Sequence, residues 1–146
     1  SLGSWTDFVG DEYKAFSGTA VYTTTINKVP VADVIKLDLG SVAENASVYL
    51  NGDYIGTVID SPYQLYIPAE KFKGQDELVV RVANSMANRI AYMDKKGVDW
   101  KIFYNVNMSA RKKENVKNGI FDASDWEPKS SGLLGPVTLT PAMVKQ

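Results

Sequence analysis

With 146 residues, 16 basic and 17 acidic side chains and a formal charge of −1, the chain has the size of one ordinary domain. It lacks the basic excess that nucleic acid or an anionic membrane would select. It has no cysteine and no histidine, which removes thiol nucleophiles, disulfides, Cys-based metal sites, the Ser-His-Asp relay and imidazole ligands. No apolar run approaches the roughly 20 residues of a membrane-spanning helix. No signal peptide is expected, and Ser1 is not a natural initiator, so the chain reads as an excised or processed fragment.

Residues 1–18 carry Trp5, Phe8, Tyr13 and Phe16 with no sustained period, which predicts an irregular arm with its aromatics buried. Thr19 to Ile26 follows the breaker pair Ser17-Gly18 and is rich in β-branched and aromatic types; it reads as a strand that Pro30 closes off. In residues 34–39, Ile35, Leu37 and Leu39 alternate with Lys36 and Asp38, a second strand ended by Gly40-Ser41. Residues 46–59 give the clearest signal. Asn51-Gly52 tolerates the positive φ of a type I′ turn, and its flanks alternate. A two-residue loop sets Leu50 opposite Asp53, Tyr49 opposite Tyr54 and Val48 opposite Ile55. Ala46, Val48, Leu50 and Ile55 then share the core face, and Ser47, Tyr49, Tyr54 and Gly56 the other.

Ser61-Pro62 turns the chain into a strand from Tyr63 to Ile67 that Pro68 ends, and Ala69 to Phe72 suits one helical turn. After a turn at 73–76, Glu77 to Asn84 alternates with Leu78, Val80 and Val82 on one face. A last short strand lies between Gly135-Pro136 and Pro141. Short, regularly spaced strands without a helical period predict an all-β sandwich or jelly roll, organised as a single domain over 1–146. Residues 85–131 form a long connection, within which 100–108 is expected as a strand and 88–93 as a fragment of one. Its aromatic content argues against disorder.

Several local motifs fall in the order seen in one family. Ser4-Trp5-Thr6, residues 16–22, Leu37-Asp38-Leu39-Gly40, residues 48–52 with Gly56, Asn84 with Asn88-Arg89-Ile90 and Asp94, and residues 131–137 together span nearly the whole chain. In these the chain resembles the galactose-binding-like β-sandwich modules of glycoside hydrolases, of the family 2 sugar-binding type. Similar modules lie near the C-terminus of bacterial α-L-rhamnosidases. The resemblance implies a jelly-roll fold, a polysaccharide-degrading parent enzyme exported to the periplasm or outside a bacterial cell, and a role accessory to catalysis. Oligo- or polysaccharide and the parent's catalytic domain are then the expected partners. Where related modules place a large aromatic between the positions of Asn84 and Asn88, this chain has Ser85, Met86 and Ala87.

Sugars are held by aromatic faces laid on their C–H surfaces and by amides, carboxylates and arginines that bond to hydroxyl pairs. The candidates in that pattern are Asn84, Asn88, Arg89, Tyr92, Asp94, Asp99, Trp100 and Tyr104, with Trp126 as a second aromatic. The competing reading is that Asn88 and Arg89 tie the connection to the sandwich, Trp100 roofs it and Trp126 anchors it. Asp122, Asp125 and Glu127 offer oxygens to a structural calcium but miss the spacing of a recognised calcium loop, and no other cofactor is expected. A glycosidase needs two carboxylates roughly 5–10 Å apart across a cleft. The sequence singles out no such pair, so a module without a catalytic centre is expected. The alternatives are a structural module packed on a catalytic domain through Tyr49 and Tyr54, and an independent small hydrolase.

Overall fold

The structure, a computed structural model, describes residues 2–101 and 112–143. Its backbone divides into two compact units, one of Ser1–Ser4, Gly18–Asn84 and Ser131–Gln146, the other of Trp5–Ser17 and Ser85–Ser130. The first holds the sheets. Its strands are β1 (Thr19–Ile26), β2 (Val34–Asp38), β3 (Ser41–Ala43), β4 (Asn45–Leu50), β5 (Asp53–Val58), β6 (Gln64–Pro68) and β7 (Asp76–Ala83). The strands β8 (Val116–Lys117) and β9 (Ile120–Phe121) belong to the second unit, and β10 (Gly132–Gly135) and β11 (Thr138–Pro141) return to the first.

One antiparallel sheet runs β1-β7-β4-β5 and another β11-β2-β6, while β10 pairs with β3. Alternation along the strands sends Ala46, Val48, Leu50, Leu78, Val80 and Val82 from the first sheet, and Leu37 and Ile67 from the second, into one buried cluster. Each valine, leucine or isoleucine among them contributes roughly 1.5–3 kcal/mol by leaving water. A one-residue slip would turn the whole set outward, so the register is strongly specified. This is the all-β sandwich that the strand spacing predicts.

The central hairpin has its I′ turn, with φ of 51° at Asn51 and 85° at Gly52. Its pairing differs from expectation beyond the turn. Tyr49 faces Tyr54, but a bulge follows and Val48 faces Gly56 rather than Ile55. Gly56 belongs there because a Cβ would stand 2.9 Å from the Leu65 side chain. The aromatic pair forms with ring centroids 5.6 Å apart, and the Arg81 guanidinium lies 5.0 Å from the Tyr49 ring centre. At Gly52 an added Cβ meets open space, so a substitution there costs only the strain of positive φ. Gly52→Val is therefore expected to lower stability by about 1–2 kcal/mol in a denaturant titration, with ligand binding unchanged.

The second unit corrects two expectations. Residues 88–93 are not strand but part of a helix, α2 (Ala87–Lys95), and the supposed irregular arm contains a helical turn at Trp5–Asp7 and α1 (Asp11–Ala15). The buried positions of α2 are Asn88 and Ala91, one polar and one small, so no apolar stripe announces the helix. Gly97, at φ 68°, ends it, and Lys96 N–H bonds back to Tyr92 C=O. In the arm Trp5 is buried as expected, while Phe8, Tyr13 and Phe16 are exposed. Of the strand expected over 100–108, Trp100 and Lys101 are irregular and the remainder lies outside the described residues.

Candidate functional site

Helical spacing builds a cleft in the second unit. Asp11, Lys14 and Ala15 on α1, and Asn88, Ala91, Tyr92 and Lys95 on α2, recur at three- and four-residue intervals and line one cavity of 650 Å³. Lys96 and the segment from Ser124 to Pro128 complete its wall. This volume lies within the range of small-molecule sites. Two alanines leave room between the helices, and two aromatics, Tyr92 and Trp126, supply flat apolar surface.

Trp126 is held from three directions. Its backbone N–H donates to Ala123 C=O (3.0 Å), its indole Nε1 donates to Asn115 Oδ1 (2.9 Å), and Phe121 meets it edge-on at 5.8 Å. The indole also borders a smaller cavity of 270 Å³, which shares Asn88 and Glu127 with the cleft. The indole is thus half-buried, fixed at its polar edge, and borders both hollows.

Asn88, 6% exposed, clasps the segment that carries Trp126. Its Nδ2 donates to Lys129 C=O and its Oδ1 accepts the Lys129 N–H, both at 2.8 Å. Asp94 is a joint rather than a ligand contact. Its carboxylate accepts from Trp100 Nε1 (2.7 Å) and Ala123 N–H (2.7 Å) and pairs with Lys101 Nζ (2.9 Å). Asp94 and Trp100 are thus brought together, but with each other. Arg89 and Asp99 are exposed. Asn84 belongs to the sheet unit, where its Oδ1 accepts the Gly18 N–H (3.0 Å) and its Nδ2 donates to Ser131 Oγ (3.2 Å). Tyr104 lies outside the described residues. Of the residues predicted, Asn88, Tyr92 and Trp126 share the cleft.

The acidic segment beside the cleft is organised around Lys117. Its ammonium lies 3.1 Å from Asp125 and 3.3 Å from Asp122 and donates to Ser124 Oγ. The bond to Asp125, then those to Asp122, hold the Lys117 pKa up against partial desolvation. The Ser124 hydroxyl, followed by the Ser124 N–H and Lys117, holds Asp122 below the usual carboxylate value despite partial burial. Asp122 and Asp125 thus share one cation of the protein, Lys117. Among the described residues no three acidic side chains gather as a metal site would require.

The cleft residues on the two helices missed in the sequence are Asp11, Lys14, Ala15, Ala91, Lys95 and Lys96. Their signal is the helical spacing of 11, 14 and 15 against 88, 91, 92 and 95. A second Asn-Gly turn, Asn118-Gly119 with φ of 52° and 80°, closes the β8–β9 hairpin.

No protein-family model matches the chain. A protein of Formosa agariphila provisionally named a beta-glucuronidase is 34% identical over 153 residues, covering 94% of this chain and 13% of that protein. The solved rhamnosidase from Novosphingobium sp. PP1Y superposes with a TM-score of 0.74 at 29% identity, covering 94% of this chain and 12% of that one. Along nearly its whole length the chain is thus similar to a small segment of two much longer proteins that carry glycoside hydrolase names.

Proposed function

We propose that the chain is a non-catalytic accessory module of a longer, exported bacterial glycoside hydrolase, and that it meets carbohydrate at the Trp126 cleft. The observation that carries this reading is the indole itself, fixed through Nε1 and bordering a cavity lined also by Tyr92. The similarity to segments of proteins with glycosidase names supports a role beside a catalytic domain.

Titrating the chain with rhamnose-, galactose- and xylose-containing oligosaccharides should give a saturable change in Trp fluorescence with at least one of them. Trp126→Ala should weaken that binding by about tenfold or more, since a well-packed Trp is a typical anchor. No response at millimolar sugar would instead favour a structural module docked on its catalytic domain. Tyr54, 60% exposed on the outward face of the hairpin, is the observation behind that second reading.

A further inference from the structure

The chain has two Asn-Gly dipeptides, at 51–52 and 118–119. Both sit in the same kind of turn, with φ of 51° and 85° at the first and 52° and 80° at the second. Asn-Gly is a dipeptide prone to losing its side-chain amide, because glycine has no Cβ to keep the following backbone nitrogen away from the asparagine Cγ. With the backbones matched, the side chains decide. At Asn51 both ends of the amide are held: Nδ2 donates to Asp76 Oδ1 (2.7 Å), on a buried carboxylate, and Oδ1 accepts the Glu77 N–H (2.9 Å). Turning Cγ toward the Gly52 nitrogen would break both bonds, one of them to a charged group. Asn118 is exposed, and its side-chain amide makes no hydrogen bond among the described residues.

We propose that Asn118 is a site of spontaneous covalent modification, deamidating through a succinimide to aspartate and isoaspartate, and that the bonds to Asp76 and Glu77 protect Asn51 from the same reaction. The Gly119 backbone nitrogen gives its proton to solvent base and bonds to Asn118 Cγ. The bond from Cγ to Nδ2 breaks, and the amide nitrogen takes a proton from solvent and leaves as ammonia. Water then opens the ring at either carbonyl. Breaking the Cγ–N bond gives aspartate; breaking the bond to the main-chain carbonyl gives isoaspartate, with the chain now running through Cβ and Cγ. Nothing is oxidised or reduced, and the net change is one water taken up and one ammonia released. The isoaspartyl product lengthens a turn that closes a hairpin of only two pairs, Val116 with Phe121 and Lys117 with Ile120. Asn115, just before that hairpin, and Phe121 within it both hold Trp126, so the change falls on the wall that carries the indole. Either product also sets a new carboxylate beside Lys117, which already serves Asp122 and Asp125.

The test is incubation of the whole chain in warm, mildly alkaline buffer, with and without urea sufficient to unfold it, followed over weeks by peptide mass mapping and isoaspartyl methyltransferase labelling. In the folded chain Asn118 should convert about tenfold or more faster than Asn51, with isoaspartate among its products. In urea the two rates should converge, since the bonds that hold Asn51 are gone. Asn118→Gln should abolish the early product and leave the slow conversion at Asn51 unchanged. Conversion of Asn51 as fast as Asn118 in the folded chain, or of neither, would overturn the assignment. A difference that persists in urea would also overturn it, because neighbouring sequence rather than the fold would then set the rates. Aspartate at position 118 without isoaspartate would overturn the succinimide route.

Discussion

Asp76→Ala should be among the most damaging single changes in the sheet unit, lowering stability by about 2–3 kcal/mol. The carboxylate is 1% exposed and ties two turns together. It accepts from Asn51 Nδ2 (2.7 Å) at the hairpin turn and from the backbone N–H groups of Lys73 (2.8 Å) and Gly74 (3.0 Å) at the turn before β7. Asn51 completes the tie by accepting the Glu77 N–H at 2.9 Å. Removing Asp76 leaves three donors without their anion, against a total stability of roughly 5–15 kcal/mol for a domain of ordinary size. Urea unfolding measures the effect, and Asp76→Asn, which retains an acceptor oxygen, should fall between the two. A loss under about 1 kcal/mol for the alanine variant would show that the turns hold without the carboxylate.

The same group shapes the acid limb of stability. Burial alone would raise the Asp76 pKa, but the bonds from Asn51, Lys73 and Gly74, with the charge of Lys73, outweigh it and hold it below its ordinary value of 3.8. Asp38 is lowered chiefly by the Gly40 N–H and then by Gln64, against a smaller opposing effect of burial. A depressed carboxylate binds its proton more readily in the unfolded chain, so its contribution is complete above the unfolded pKa and is lost as pH falls through the folded one. Stability should therefore decline below about pH 4, and more shallowly in Asp76→Ala than in the unmodified chain.

Gly40→Ala should be comparably severe, lowering stability by about 3 kcal/mol or more and the melting temperature by about 10 °C. Two independent costs coincide there. Gly40 has φ 66°, and a Cβ would stand 2.4 Å from the Gly135 carbonyl carbon and 2.6 Å from the Pro136 oxygen. Those neighbours are backbone, fixed where Gly40 and Gly135 bridge beside the β3–β10 ribbon, and cannot rotate aside. Gly52→Ala, with positive φ but open space, isolates the conformational cost. Equal losses at the two positions would show that the close approach carries no weight.

The strands were legible where chemistry and geometry repeat together. Thr19 to Ile26, Ile35 to Leu39 and Leu78 to Val82 alternate because one face of each meets the core, and Asn51-Gly52 marked its turn by backbone tolerance alone. The bulge was hidden because nothing in Val48 or Ile55 records an extra residue; Gly56, beside Leu65, was the only trace. The cleft was half legible. Trp126, Tyr92 and Asn88 stand out by residue type, but the helices that bring them together bury alanine and asparagine rather than a leucine stripe. Asn88, expected in the competing reading to tie the connection to the sandwich, instead spends its amide on Lys129 within the second unit.

The second unit interrupts the sheet unit twice, at Trp5–Ser17 and Ser85–Ser130, and hydrogen bonds inside the sheet unit join the four junctions this leaves. Gly18 and Asn84 exchange backbone and side-chain bonds where β1 and β7 begin and end in register, with Thr19 opposite Ala83. Ser131 N–H donates to Ser4 Oγ (2.9 Å), and Asn84 donates to Ser131. Once β1 and β7 have paired, the stems of the two distant segments that carry α1 and α2 emerge side by side. Part of the entropy of bringing those segments together is then met by sheet formation. The cleft is in this sense tethered at high effective concentration, which lets its interior keep small, polar and charged residues where a free-standing helical pair would need an apolar seam.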